Sequence, residues 1–389
     1  MRIIIYHRHL NYRFGGVVGK ALERAGCQVA ELTIKEGAEG AMAAVEGFKP
    51  DCILSIATAP ELSHLFRERG VRLPVVHYEL DKVMRAGFFR PGAFGDNDIV
   101  FSTYKDDVPR YLQSGARAAC YLPFFPNARA NPHDTSPDRF RYDVTFAGNL
   151  LYSNELFEYL DTYGKVAARN PQSKAVFESV ISASIEMIIT RQAMALDDNR
   201  YRVAELVAQV MTGPARDAFA ACELDEETLT ALCAKEAAHL QRQHFIEAIP
   251  GITIFGPDGN LAENPNVHYM GEVSLHEEIS RVFESSRINL TLQRIYARDG
   301  LSDRVFNVLQ AGGFLLSDRN DAITELFQEG EEVECFDSRD EMLDKIDYYL
   351  ANERERERIA ANGRARVIAE HTLEHRVDTL LATLRPLIR

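Results

Sequence analysis

The chain has 389 residues, of which 46% are hydrophobic and 26% charged, and its formal net charge is −14. This balance is typical of a folded protein, and the length indicates two or three domains. Binding along a polyanion needs a basic surface, so the acidic charge argues against nucleic acid and anionic membranes as partners.

The N-terminal stretch "MRIIIYHRHLNYR" contains a four-residue apolar run, which is too short for the apolar region of a signal peptide. No run approaches the about 20 apolar residues of a membrane span. We therefore expect a cytoplasmic protein without an integral membrane segment. The six cysteines form no CxxC pair, which favours reduced, mostly buried thiols over a metal site.

The first part of the chain alternates apolar runs with helical patterns. The runs "RIIIY", "QVAELTI", "DCILSIA", "PVVHYEL", "DIVFSTY" and "AACYLPF" predict strands, and spacers such as "GVVGKALERAGC" and "APELSHLFRERG" predict helices. Strands that are apolar throughout and joined by helices indicate a parallel sheet covered on both faces. The prediction is an N-terminal Rossmann-like domain over residues 1–128.

The loop "PFFPNARANPHDTSPDRF" separates this domain from a second α/β series over residues 129–389. Its predicted strands lie in "YDVTFAGNL", "ITIFG", "NVHYMG", "INLTL", "GFLLSD" and "EVECF". Residues 151–249 show only helical periodicity and predict a helical insertion, in which Met187, Ile188, Ile189 and Met194 belong either to the core or to an oligomer contact. The C-terminal helices are candidates for packing back on the first domain.

Two such domains leave a cleft at the carboxyl ends of their strands, where ligands bind in open α/β sheets. In the loop after the first strand, Gly15 and Gly16 precede a helix whose amides could hold an anionic group, helped by Arg8 and Arg13. A plain turn explains these glycines equally well. His77 and Asp81 lie at or beyond another strand end, where a histidine oriented by a carboxylate can act as a base.

The stretch "DRVFNVLQAGGFLLSD" gives the strongest signal. It predicts a helix capped by Ser302 and ended by Gly312 and Gly313, with an apolar stripe on one side. Its polar side carries Asp303, Arg304, Asn307 and Gln310. A cation in the first turn opposes the helix dipole, so Arg304 indicates either a bound phosphate or a salt bridge to a nearby acid.

This stretch and the segment after it, through "ERERERIAANGRARVIAEHTLEHR", resemble the C-terminal part of the CgeB-like (spore maturation protein B type) glycosyltransferases. The pieces "YDVTFAGNL", "ITIFGPDGN", "VHYMGEV", "SRINLTL" and "STYKDDVPRYLQSGARAACYLPF" resemble that family in order and spacing. The resemblance covers most of the chain except the insertion. It implies the two-domain GT-B fold and transfer of a sugar from a nucleotide-sugar donor.

The resemblance also implies roles for individual residues. The helix that begins near Arg304 resembles the nucleotide-binding element, in which Asn307 replaces a glutamate that commonly bonds the ribose. Arg304, Arg294 or Arg298 would hold the diphosphate. Gly148 and Asn149 stand where the family turns its backbone toward the phosphates, but the usual Arg and Lys pair of that turn is missing.

Enzymes of this fold generally need no bound metal, and the chain has no convincing DxD cluster, so no cofactor or metal is expected. His77, Asp81, His7 and His9 are the candidates for a base that activates the acceptor hydroxyl. A protein or a small soluble glycan or metabolite is favoured as acceptor, and a homo-oligomer remains open. The alternatives are a degenerate GT-B scaffold that binds a sugar nucleotide or protein without turnover, and a sugar-nucleotide epimerase.

Overall fold

The computed structural model describes most of the chain. The described residues are 1–7, 13–33, 35, 37–57, 61–83, 88–128, 136, 139–150, 155–166, 171–190, 196–222, 225–257, 261, 263–274 and 278–388.

The first domain is built on a six-stranded parallel sheet. Its strands are β1 (Arg2–His7), β2 (Gln28–Thr33), β3 (Cys52–Ile56), β4 (Val75–Glu79), β5 (Asp98–Ser102) and β6 (Ala118–Tyr121). They are hydrogen-bonded in the order β2-β1-β3-β4-β5-β6. Strands β3, β4 and β5 are buried along their whole length. Continuous burial explains why these segments are apolar throughout rather than alternating.

The second domain contains a second six-stranded parallel sheet. Its strands are β7 (Tyr142–Ala147), β8 (Ile252–Phe255), β9 (Val267–Tyr269), β10 (Ser286–Thr291), β11 (Leu315–Asp318) and β12 (Glu334–Phe336). The order β12-β11-β10-β7-β8-β9 places β7 beside β10. From β7 the following strands β8 and β9 are added on one side, and from β10 the following strands β11 and β12 are added on the other. The switch point for ligand binding therefore lies between β7 and β10.

Helices cover both sheets. Those of the first domain are α1 (Arg13–Arg24), α2 (Gly37–Phe48), α3 (Glu61–Glu68) and α4 (Asp107–Gln113). The insertion contains α5 (Glu155–Val166), α6 (Pro171–Thr190), α7 (Leu196–Val210), α8 (Pro214–Ala221) and α9 (Glu226–Glu247). The remaining helices are α10 (Ile279–Glu284), α11 (Asp303–Ala311), α12 (Asp321–Leu326), α13 (Arg339–Ala351), α14 (Glu353–Glu370) and α15 (Leu373–Leu387).

The insertion has its own hydrophobic core and also contacts the cleft. Its helices bury Tyr163 and Phe177 together with Tyr104 of the first domain and residues 295–297 of the second. Ile188 is 1% exposed inside this core, and Met187 and Ile189 pack against it. These three residues therefore contribute to the core of the insertion, whereas Met194 lies outside the described residues.

The chain passes between the domains in the linker and again before helix α15, and Arg376 connects these two segments. Helix α15 packs on the first domain through an apolar face that includes Leu380 and Leu384. The buried guanidinium of Arg376 donates from Nε to the carbonyls of Pro123 (2.9 Å) and Phe124 (3.1 Å). It therefore fixes the C-terminal helix to the start of the interdomain linker.

The remaining sequence expectations concern cysteines and membrane spans. All six cysteines are free thiols, and three of them are buried. Burial raises the pKa of Cys52 and of Cys335 to about 12. Among the described helices, none combines the length and the apolar character that crossing a bilayer requires.

Candidate functional site at the interdomain cleft

Helix α11 begins at the cleft, beside the switch point of the second sheet. The chain folds this way locally because Val305, Val308 and Leu309 form an apolar stripe that is completely buried. Ser302 has the extended backbone of an N-cap, and Gly312 ends the helix in the left-handed region with φ of 79°. The sequence-based boundaries of this helix are confirmed.

The polar side of α11 holds the interdomain linker. Asn307 is 3% exposed, and its Oδ1 accepts hydrogen bonds from the backbone amides of Asn127 (2.8 Å) and Ala128 (2.9 Å). Its Nδ2 donates to Oδ1 of Asn127 at 2.8 Å, and Gln310 donates to the carbonyl of Ala128 at 3.1 Å. These bonds use both ends of the Asn307 amide, so the structure does not support the ribose-binding role expected for it.

We expect Asn307→Asp to lower stability without changing nucleotide affinity. The substitution keeps the acceptor for the two amides but removes the donor to Asn127 and places a second carboxylate near Asp303. Loss of a buried hydrogen bond and the new repulsion should cost about 1–3 kcal/mol of unfolding free energy. Urea unfolding and nucleotide titration measure the two effects separately. A large loss of nucleotide affinity at unchanged stability would instead assign Asn307 to the ribose.

Arg304 points from the first turn of α11 toward the end of β7. A Cβ built on Gly148 would lie 3.7 Å from Nε of Arg304, and that buried Nε has no hydrogen-bond partner among the described residues. Gly148 itself is tightly packed, because a Cβ at Gly256 would overlap its carbonyl oxygen. The structure thus brings Arg304 and Gly148 together, as expected for a phosphate-binding element.

Arg242 is a site residue that the sequence analysis missed. It lies on α9 and donates from Nη2 to the carbonyl of Leu292 at 2.9 Å and from Nη1 to that of Asn149 at 3.3 Å. Burial, together with repulsion from Arg294 and Arg304, lowers its pKa to about 10. Within the described part of the chain, its buried Nε also lacks a hydrogen-bond partner.

We call Arg242, Arg294 and Arg304 the arginine cluster. Within the part of the chain that the structure describes, no carboxylate forms an ion pair with any of the three. Arginines remain charged at neutral pH, and like charges brought together in a half-buried site repel one another. An anion bound beside these guanidinium groups relieves this repulsion.

Asp318 ends β11 next to this cluster. Its Oδ1 accepts the backbone amide of Gln293 at 2.7 Å. Burial raises the pKa of Asp318 to about 7, although the Gln293 amide and Arg242 oppose the shift. The carboxyl group therefore changes charge near neutral pH, and in its ionised form it attracts Arg242.

The other residues predicted in the second domain lie at the same edge but face other partners. Arg298 lies 3.6 Å from Asp321, at the start of α12. Asn149 is exposed and contributes its backbone carbonyl to Arg242. Arg298 therefore stands at the border of the arginine cluster rather than within it.

At the carboxyl end of β1, the structure gives little support for an anion site. A Cβ on Gly15 would lie 3.1 Å from the ring of His7, and the carboxylate of Glu31 is the nearest group to Gly16. His7 is 3% exposed, with Nε2 at 3.8 Å from Glu31. An acid at this position repels an anion. Arg8 and His9 lie outside the described residues, as does the side chain of Arg13.

His77 does not reach the cleft. It is completely buried on β4, where Nε2 lies 3.0 Å from both Ser63 and Asp98. Burial favours a raised pKa for Asp98, but the hydrogen bonds from His77 and Ser63 hold it below its usual range. A base must contact the hydroxyl that it deprotonates, and a completely buried side chain does not. The structure therefore contradicts the catalytic role expected for His77.

Asp81, in contrast, is exposed at the cleft. The pKa of Arg294 is raised by Tyr296 and, more weakly, by Asp81 across the cleft. The next residue, Lys82, is buried and bonds Asp299 of the second domain at 3.2 Å. This interdomain ion pair fixes the position of Asp81 relative to the arginine cluster.

Among the described residues, no group of three or more His, Cys, Asp or Glu side chains is arranged to hold a metal ion.

Part of the chain matches a known family model. Residues 237–382 match the family described as "Glycosyl transferase-like", and this range includes the arginine cluster and Asp318. No curated protein matches the chain at a significant level of sequence similarity.

Solved structures share the fold over the full length. HepE from Anabaena, in complex with UDP and glucose, has a TM-score of 0.56 at 10% identity, with 99% of this chain and 100% of HepE covered. Sucrose-phosphate synthase from Thermosynechococcus elongatus has a TM-score of 0.58 at 10% identity, covering 100% of this chain and 99% of the enzyme. T4 phage BGT, in complex with its UDP-glucose substrate, has a TM-score of 0.52 at 11% identity, covering 100% and 99%.

These likenesses confirm the predicted GT-B fold, with two parallel-sheet α/β domains facing a cleft. The finer resemblance to CgeB-like proteins stays a prediction.

Proposed function

We propose that the protein is a glycosyltransferase, hexosyltransferase-like, which moves a sugar from a nucleoside-diphosphate sugar to an acceptor. The observation that carries this proposal is the arginine cluster at the switch point of the second sheet, where Arg294 and Arg304 both repel Arg242. Among the described residues, no carboxylate forms an ion pair with any of the three. The family match over residues 237–382 and the neighbours that bind UDP or UDP-glucose support the same conclusion.

The chemistry of the transfer explains why cations are needed. As the glycosidic bond breaks, negative charge accumulates on the departing diphosphate, and fixed positive groups stabilise that transition state. Arg242 and Arg304 supply the charge that the missing Arg and Lys pair would otherwise provide, and Gly148 allows close approach of the backbone. In this proposal the arginines take the role of a metal ion, so the reaction is metal-independent.

The acceptor reacts from the side of the first domain. We propose Asp81 as the base for the acceptor hydroxyl, because it is exposed and lies across the cleft from Arg294. A protein or a small soluble glycan is the proposed acceptor, in the cytoplasm, and CgeB-like specificity is part of the same proposal.

One observation favours a second function. Asn307 is committed to the linker, so the usual carboxylate contact to a ribose is missing from α11. A protein that binds a sugar nucleotide without turnover would tolerate this loss. The two functions differ in whether the donor is consumed.

The test is a thermal-shift panel of UDP, GDP, dTDP and CMP with their common sugars, followed by an assay of donor consumption. Stabilisation by one nucleoside diphosphate, lost in Arg304→Ala and kept in Arg287→Ala, is expected. Arg287 is a suitable control because it pairs with Asp143 at the surface. Binding without consumption, whatever acceptor is offered, would favour the second function, and stabilisation by none of the ligands would contradict both.

We also expect affinity for the nucleotide sugar to fall as the pH rises through about 7. Below that pH Asp318 is uncharged, and above it the carboxylate competes with a phosphate for Arg242. A screened interaction of about 1 kcal/mol corresponds to a roughly fivefold change in this affinity. Titration calorimetry with an intact nucleotide sugar measures the pH dependence of the affinity, because both phosphates of that ligand keep a constant charge near pH 7. Asp318→Asn should remove the dependence, and an unchanged profile in that variant would contradict this origin.

A further inference from the structure

A cavity of about 350 Å³ lies in the first domain, at the amino ends of β4 and β5. Small-molecule sites typically begin near this volume. Helix α3 and the segments 70–75 and 95–98 form its walls. The cleft lies at the opposite, carboxyl ends of these strands, and the five residues of β4 separate the two edges by about 15 Å. The cavity is therefore separate from the proposed transfer site.

Arg67 presents a guanidinium group to this cavity in a fixed position. Its Nη2 donates to the carbonyl of Ala93 at 3.0 Å and to Nδ1 of His64 at 3.1 Å. Burial, followed by repulsion from Arg67, lowers the pKa of His64, so the ring is neutral at pH 7 and accepts this bond. The side chain of Arg67 is 35% exposed, so it is positioned in advance and still accessible to a ligand.

Gly95 makes room for this guanidinium group. A Cβ at Gly95 would lie 2.6 Å from Nη1 of Arg67, which is closer than the two atoms can approach. A larger residue would therefore displace the end of the arginine side chain. Because the arginine side chain is flexible, this displacement leaves the backbone in place.

Asp98, the buried acid of the cavity, bonds other groups. It is 2% exposed, its Oδ1 accepts a hydrogen bond from Ser63 and lies 3.0 Å from Nε2 of His77, and its Oδ2 accepts the amide of Gly95 at 2.7 Å. Nη1 of Arg67 lies 3.8 Å from Oδ2, which is beyond hydrogen-bond distance. Arg67 therefore keeps donors that Asp98 does not use.

The rest of the lining determines which charge and polarity of ligand fit. Arg72 is exposed in the same wall, and among the described residues no carboxylate forms an ion pair with it. The carboxylates of Asp98 and the exposed Asp96 oppose a doubly charged anion, whereas two guanidinium groups favour a single negative charge. Val71 and Leu73 are half-buried and add apolar surface. The cavity therefore suits a monoanion with an apolar portion.

We propose that this cavity binds a small organic carboxylate, held through its carboxylate group by Arg67 and Arg72 and through its apolar portion by Val71 and Leu73. A carboxylate matches the planar fork of a guanidinium group and carries one charge. The site lies outside the family-matched residues 237–382, and the inference does not depend on the proposed function.

The test uses ligand-observed NMR with benzoate and butyrate at pH 7.5, and with phenyl phosphate, which is mainly a dianion at that pH. At least one carboxylate should bind the wild type more tightly than phenyl phosphate does. It should bind Arg67→Gln at least about tenfold more weakly, because a charge-assisted hydrogen bond is lost. Gly95→Ala should also weaken binding, because it displaces Nη1 of Arg67.

Arg69→Gln is the matched control, since Arg69 is exposed in the turn after α3 and does not line the cavity. This variant should bind the carboxylate as the wild type does. Equal binding by the wild type and folded Arg67→Gln, tighter binding of phenyl phosphate, or no carboxylate binding by the wild type would overturn the inference.

Competition shows where the carboxylate binds. Its affinity should be the same with and without UDP, GDP or dTDP, and the same in Arg304→Ala, because none of these changes the cavity. Displacement by a nucleotide, or loss of binding in Arg304→Ala, would place the carboxylate at the arginine cluster and contradict the inference. Failure of the proposed function appears differently, as absence of nucleotide binding while carboxylate binding persists.

Discussion

Arg242→Ala is expected to weaken binding of the nucleoside diphosphate by about ten- to a hundredfold. A hydrogen bond between a guanidinium and a phosphate contributes about 1.5–3 kcal/mol, which corresponds to that range. Arg242 already holds the carbonyls of Leu292 and Asn149, so its side chain is positioned before a ligand arrives. Titration calorimetry on the wild type and the variant measures the change.

Two controls separate this effect from a general loss of structure. Arg242→Lys keeps the charge but loses the planar fork, so it should recover only part of the affinity. Gln243→Ala changes the next residue of α9, away from the arginine cluster, and should bind as the wild type does. If Arg242→Ala binds the diphosphate normally, the arginine cluster is a structural feature and the proposed donor site is wrong.

Arg376→Ala is expected to cost about 3 kcal/mol of unfolding free energy. The side chain is 7% exposed and bonds the carbonyls of Pro123, Phe124 and Glu370, as well as Nδ1 of His371 at 2.8 Å. Removing it leaves buried carbonyls without a donor and detaches α15 from the linker. Urea unfolding followed by circular dichroism gives the change in free energy.

Arg385→Ala is the matched control, since Arg385 is exposed on the same helix. The unfolding free energy of this variant should lie within about 0.5 kcal/mol of the wild-type value, as is usual for surface substitutions. Equal stability of the two variants would show that the joint between α15 and the linker forms without Arg376.

The pattern of elements could be predicted from the sequence because it depends on local periodicity. Most strands of the two sheets are short runs of buried apolar residues, such as "RIIIY" and "DCILSIA", bounded by polar or glycine-containing turns. Helix α11 could be delimited because Ser302 and Gly312 mark its ends by their backbone conformations. These features are encoded within about ten residues of one another.

The site was only partly predictable, because its residues come together from distant segments. Arg304 and Gly148 were expected near each other because the family resemblance assigned both to the phosphates of the donor. The sequence did not indicate a site role for Arg242, because an arginine in a helical pattern cannot be distinguished from an ordinary surface cation. Asp318 ends the stretch that gave the strongest sequence signal, but only its burial beside Arg242 distinguishes it from an ordinary acid.

The sequence by itself determined two α/β domains, a helical insertion and a cleft edged by strand ends, since these follow from short-range periodicity and chain order. Only the tertiary structure decided which polar groups face that cleft. Packing buries His77 in the core of the first domain and commits Asn307 to hydrogen bonds with the linker. Among the described residues, it leaves the arginine cluster without an ion pair to a carboxylate. Burial and partnership depend on residues far apart in the chain, and they decide whether a polar side chain supports the fold or binds a ligand.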